Sequence, residues 1–192
     1  MWLRIYSEKA RAQSLDSHLG KIIHIAANGE LPADNPYAKT AHDLKEIWSF
    51  GHRNLQGAAI NPTAGALWTH GHGPRGGDEM NILRVGKDYD WQVIGYGIDY
   101  SGAKRYDSAT KDGMEQPIHH WVPSIAPSGM AIYTTAAFPE WKNSLFIKAL
   151  AGQRLARLTI VGDLVDAEEK LFTDLGKRIC DGRRGRIILS TF

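Results

Sequence analysis

An all-β fold of small antiparallel sheets is predicted for this 192-residue chain by three observations: short apolar runs recur along it, Gly, Pro, Asn and Asp punctuate the gaps, and helical periodicity is scarce. The runs cover residues 21–26, 47–50, 57–60, 66–69, 130–134, 145–150, 155–161 and 187–191. Asn61-Pro62-Thr63-Ala64-Gly65 joins the third and fourth as a tight turn, in which Pro sets one backbone angle and Gly supplies the left-handed one. Helix-like patterning is confined to 7–15 and 167–175. A strand-turn-strand unit echoes loosely over 57–68, 129–147 and 181–189, as in propeller blades, although an ordinary β-sandwich shows the same pattern. At roughly 40 to 50 residues per four-stranded blade the chain supplies about three to four blades. Its last run ends at Phe192 with no partner following, which leaves open edges that invite a second copy or a complementing chain.

Composition excludes several classes. The chain is 43% hydrophobic and 23% charged, neither collagen-like nor disordered, and one domain over 1–192 is expected. A net charge of +2 implies no extended basic face for nucleic acid; only Arg183, Arg184 and Arg186 cluster locally. Cys180 is the lone cysteine, so there is no internal disulfide framework and no cysteine-based zinc site. No apolar stretch approaches the roughly 18 to 20 residues needed to span a bilayer, and MWLRIYSEKARAQ lacks the apolar core of a signal peptide; the chain as given reads as soluble and unexported.

Most of the functional signal lies in GHRNLQGAAINPTAGALWTHGHGPRGGDEMN, residues 51–81. Arg53 and Asn54 are suited to grip an oxyanion, and Gly73-Pro74 with Asp78-Glu79 offer carbonyl and carboxylate oxygens to a hard cation. Taken singly, each has a plainer reading: a surface ion pair and turn for Arg53-Asn54, a flexible turn for Gly73-Pro74, and a solvated acidic turn for Asp78-Glu79. His52 and His72 sit in the same stretch, where imidazoles are usually hydrogen-bonded structural groups. His119 and His120 fall in a strand-like run, so they point to opposite faces and cannot share a metal.

The runs HLGKIIHIAANGELPADNPY (from His18), IWSFGHRNLQGAAINP (from Ile47), HGPRGGDEMN (from His72), YGIDYSG (from Tyr96), PSIAPSGMAIY (from Pro123) and SLFIKALAGQRLARL (from Ser144) resemble the soluble pyrroloquinoline quinone (PQQ)-dependent aldose sugar dehydrogenases, the glucose/sorbosone dehydrogenase family. The resemblance spans nearly the whole chain in order. It implies a six-bladed β-propeller of four-stranded antiparallel sheets, of which this chain is a partial, C-terminal portion. It also implies an oxidoreductase that holds PQQ and calcium and oxidises the C1 hydroxyl of aldoses to lactones, passing electrons to an external acceptor.

By the same resemblance Arg53, Asn54, Tyr100, Ser124 and Arg178 match PQQ contacts. Gly73 and Pro74 match carbonyl ligands of the calcium beside PQQ, where the metal acts as a Lewis acid. Glu79 and Tyr89 match a second, structural calcium site. The family's general base, a His, lies upstream of Met1, so a chain of this extent is expected to be inactive alone. Cys180 and Ala151 stand where members carry PQQ-contacting cations, and Gly71 where an acidic residue is common. Periplasmic location is implied by the family. The alternative function is a non-catalytic calcium-binding half-propeller, an interaction or carbohydrate-binding module.

Overall fold

Two four-stranded meanders and one two-stranded pairing make up the structure, a computed structural model that describes residues 8–181. Strands β1 (Ile22–Ile23) and β2 (Ile47–Ser49) pair antiparallel. The first meander runs β3 (Leu55–Ile60), β4 (Leu67–Gly71), β5 (Asp78–Ile82) and β6 (His119–Trp121). The second runs β7 (Pro127–Ile132), β8 (Leu145–Ala149), β9 (Arg154–Val161) and β10 (Leu164–Leu171). All strand pairings within them are antiparallel. The lead strands β3 and β7 lie against each other, the arrangement of neighbouring propeller blades.

The core is the seam between the two sheets. Trp68, Met80, Ile82 and Trp121 from the first blade meet Leu145, Ile147, Ala149, Ala156 and Leu158 from the second, all buried. Alternation along each strand produces this: every second residue faces the seam, and its neighbours face away. The same rule separates Asp78 from Glu79. Asp78 turns into the seam and is fully buried, whereas Glu79 turns to the opposite face.

Asp78 fastens the two blades. One carboxylate oxygen accepts the Ser124 hydroxyl (2.6 Å) and the backbone N–H groups of Ile125 (2.8 Å) and Ala126 (2.9 Å). The other accepts the Gly73 N–H (3.0 Å). A solvated acidic turn was the plain expectation for this residue, but four donors satisfy its charge without water.

The helix expected over 167–175 is instead strand β10 followed by a short 3-10 turn, Thr173–Leu175. AEEKL has helix-forming composition, but pairing with β9 over seven residues and contacts made only by an extended chain override it. Arg157 bonds Glu169 across the pair at 3.0 Å, and Glu168 faces the seam. The helix expected over 7–15 is reduced to a 3-10 turn at Lys9–Ala12. The expected strand at 187–191 and Arg183, Arg184 and Arg186 lie outside the described residues.

Glu168 is a second fastening between the blades. It accepts the Trp121 indole N–H (3.0 Å) and an Arg154 N–H (3.0 Å), and His119 Nε2 lies 3.4 Å from the same carboxylate. His119, then Arg154 and the Trp121 N–H, hold its carboxyl down at about 2 against the opposing effect of burial. A depressed carboxylate stabilises the fold above its ordinary pKa and loses that contribution as pH falls through the folded value. Stability is therefore expected to decline between about pH 5 and 2, and Glu168→Gln to cost roughly 1–2 kcal/mol at pH 7, allowing for partial solvent screening. Thermal melts at stepped pH check this; the variant's curve should be the flatter of the two.

Candidate functional site

One end of the first blade, where β3 begins, β4 ends and β5 begins, carries an open-mouthed cleft. Arg53 and Asn54 lead into β3, Gly73 and Pro74 lie in the loop from β4 to β5, and Glu79 stands near the start of β5. Tyr89, Asp90 and Trp91 arrive on the long segment between β5 and β6. All eight line the cleft. The enclosed space is about 30 Å³, room for an ion or two waters, so any larger ligand would extend out through the open mouth.

The loop after β4 folds tightly because it is rich in glycine. A Cβ on Gly73 would meet the carbonyl oxygens of Gly76 at 2.1 Å and Gly77 at 2.4 Å. Any side chain there would open the loop and move the Gly73 carbonyl.

Arg53 brings positive charge to the cleft. Arg53 Nη1 donates to the carbonyls of His72 (2.6 Å) and Gly73 (2.8 Å), and Nη2 donates to the Tyr100 hydroxyl (3.2 Å). Among the described residues no carboxylate lies within ion-pair distance of Arg53. The neighbouring Asn54 Nδ2 is buried with no hydrogen-bond partner. A guanidinium without a counter-charge beside an orphaned amide donor is an arrangement that an anion completes.

Glu79 and Asp90 bring carboxyls to the same cleft. Burial, joined by the Asp78 charge and opposed by a hydrogen bond from Asn81, pushes the Glu79 carboxyl well up. Burial, then the charges of Glu79 and Asp88, push Asp90 up as well. Asp90 is 3% exposed, and its Oδ2 has no partner. Two repelling, desolvated carboxyls form a place that a divalent cation relieves. Among the described residues no three His, Cys, Asp or Glu side chains cluster as metal ligands, so a calcium ion would need carbonyl oxygens and water besides this pair.

The structure brings Arg53, Asn54, Gly73, Pro74, Glu79 and Tyr89 together, with Tyr100 joined to them through Arg53. The Tyr89 carbonyl already accepts the Trp91 N–H at 2.9 Å and keeps one lone pair, while its hydroxyl is engaged by Ile82 O and the Arg84 N–H. Ser124 is not brought into the cleft; its hydroxyl donates to Asp78. Arg178 is exposed, on the tail that runs beside β8, and does not line the cleft either.

His52 stacks on Tyr89 at 4.6 Å and bonds Ser49 Oγ at 2.8 Å; burial, then Lys21, lowers it to about 3. His72 Nε2 bonds Pro127 O at 2.7 Å. His119 and His120 diverge, the first beside Trp121 and the second stacked on Tyr96. Asp90 and Trp91 were not singled out from sequence. The available signal was an acid between two aromatics, Tyr89 and Trp91, a setting that favours burial.

The glucose/sorbosone dehydrogenase family model matches residues 5–189. Aldose sugar dehydrogenase YliI of Escherichia coli (strain K12) is 44% identical over 181 residues, 93% of this chain and 49% of that protein. Quinoprotein glucose dehydrogenase B of Acinetobacter calcoaceticus is 28% identical over 151 residues, 74% of this chain and 29% of that one. A crystal structure of a glucose dehydrogenase superposes with a TM-score of 0.90 at 48% identity, over 93% of this chain and 52% of its own. The chain thus spans about half the length, or less, of the relatives it matches.

Proposed function

Because the chain belongs to the glucose/sorbosone dehydrogenase family, we propose that its cleft seats PQQ beside a calcium ion and forms part of a sugar dehydrogenase active site. The observation that carries this reading is the pairing of an uncompensated Arg53, with the orphaned Asn54 amide, and two strained carboxyls in one cleft. The quinoprotein name of one relative supports the cofactor class. PQQ is a tricarboxylate, so an Arg-Asn pair suits one of its carboxylates. Calcium takes oxygen ligands: Glu79, Asp90 and the Tyr89 carbonyl can supply them to one ion, and the Pro74 carbonyl, with the second lone pair of the Gly73 carbonyl that Arg53 already engages, to an ion beside PQQ.

When bound, PQQ supplies the two-electron oxidising centre for an aldose C1 hydroxyl, whose electrons then pass to an external acceptor. The chain's own residues bind and orient. Arg53 and Asn54 hold a carboxylate of the cofactor, the Gly73-to-Gly77 loop presents carbonyls, and Asp78 ties that loop to the connection leading into the second blade. Among the described residues no helix is long and apolar enough to cross a membrane; periplasmic location is part of the same family-based reading.

Calcium is expected to raise the melting temperature of the chain, because a ligand bound only by the folded state stabilises it. Melts in calcium and in chelator measure this, and equal midpoints would remove the metal from the account. Reconstitution with PQQ and calcium, followed by dye-coupled aldose oxidation with and without an upstream fragment of a relative, tests the activity. A flat trace in both favours a non-catalytic binding module.

A further inference from the structure

Arg53 is held by neutral groups, and the largest of them is an aromatic ring. Its guanidinium carbon lies 5.1 Å from the centroid of the Trp91 ring. Of its five N–H donors, three are engaged, by two carbonyls and the Tyr100 hydroxyl. Those bonds hold both Nη nitrogens at the edge of the guanidinium, and the Trp91 ring adds the contact to its face that they do not supply.

Trp91 is itself immobilised. It is 8% exposed and meets Tyr106 edge-on at 6.5 Å. Its backbone N–H donates to the carbonyls of Gly51 (2.8 Å) and Tyr89 (2.9 Å), and its backbone carbonyl accepts from Gln13 Nε2 (2.8 Å). A second guanidinium, Arg105, lies 4.6 Å from the same ring. Two cations on one ring would repel, but Asp99 neutralises Arg105 at 3.0 Å, and Arg105 Nε donates to the Tyr106 hydroxyl at 3.1 Å. Arg105 is thereby a packing cation, whereas Arg53 retains its charge for a ligand.

We propose that Trp91 is a positioning residue for Arg53, its ring holding the guanidinium ready for a carboxylate in the cleft. This rests on the reading of the cleft as a paired anion and cation site. It adds that affinity for the anion depends on a side chain that need not touch it.

The test uses the 192-residue chain with two readouts. Rotation of the Arg53 guanidinium, followed by nitrogen-15 NMR, is expected to be slow in the parent and faster in Trp91→Leu. PQQ affinity by equilibrium titration is expected to fall about tenfold in Trp91→Leu and by less in Trp91→Phe, which keeps a ring, while calcium affinity holds in both. Should Trp91→Leu fold poorly, fluorinated tryptophans placed at this position keep the shape but drain the ring's negative face, and a graded loss of PQQ affinity supports the proposal. Unchanged rotation in Trp91→Leu, or affinity indifferent to fluorination, overturns it. A parent that binds no PQQ would sink the cofactor reading instead, and the rotation measurement would still decide the role of Trp91.

Discussion

Replacing Asp78 with Asn is expected to destabilise the chain by about 3 kcal/mol or more, the largest effect of any single polar change in this region. The carboxylate accepts four hydrogen bonds in a fully buried setting. An amide has one acceptor oxygen, so its NH₂ would face either the Gly73 N–H or the trio of donors on the connection leading into the second blade. Either orientation leaves donors opposed to donors. For a chain of this length the loss corresponds to a fall of about 6–12 °C in melting midpoint.

The adjacent acid should behave in the opposite way. Because the folded Glu79 carboxyl is pushed above its ordinary value, ionising it weakens the fold as pH rises past about 4.5. Glu79→Gln is therefore expected to hold or raise the midpoint in chelator and to lose the gain conferred by calcium. The contrast between these neighbours is a direct consequence of strand alternation, one side chain turned into the seam and the other into the cleft.

Arg53→Ala is the second large effect, and it falls on binding. A charge-assisted contact contributes about 1.5–3 kcal/mol, so PQQ affinity should drop about tenfold or more. Lys104→Ala provides the comparison: its ammonium is exposed, pairs only loosely with Asp107 at 3.4 Å and lies outside the cleft, so affinity should be unchanged within experimental scatter. Fluorescence titration at fixed calcium reads both. Equal losses would mean that a general field of positive charge, and not the seat of Arg53, governs the anion.

Some of this was legible in the sequence and some was not, for identifiable reasons. Strands β3 and β4 were readable because two apolar runs flank a Pro-Gly turn, and β8 and β9 because their seam residues alternate. By contrast β5 reads DEMNI, with only Met80 and Ile82 apolar behind two leading acids, and β6 reads HHW, too short to show an alternation. The seam face of β5 carries Met80 and Ile82 beside the buried Asp78, and its other face carries Glu79 toward the cleft, so a charge at the head of the strand masks a short apolar pattern. Strand β10 was obscured because its composition suits a helix, and what holds it extended is pairing along β9 and the reach of Glu168 to Trp121 on the other blade.

The site shows the same division. Arg53, Asn54, Gly73, Pro74 and Glu79 lie in one stretch and could be picked by residue chemistry. Asp90 and Trp91 could not, since their relevance comes from a loop that folds back over the blade. Ser124 is matched only through the family resemblance, and its hydroxyl donates to Asp78.

The central claim is that one cleft holds opposite charges, an anion at Arg53 and a divalent cation at Glu79 and Asp90. Calorimetric titration of the parent, Arg53→Ala and Glu79→Gln with PQQ and with calcium tests it most directly. The account predicts a crossed result: Arg53→Ala loses PQQ and keeps calcium, and Glu79→Gln loses calcium binding. Both variants binding both ligands as the parent does, or a parent that binds neither, would contradict it.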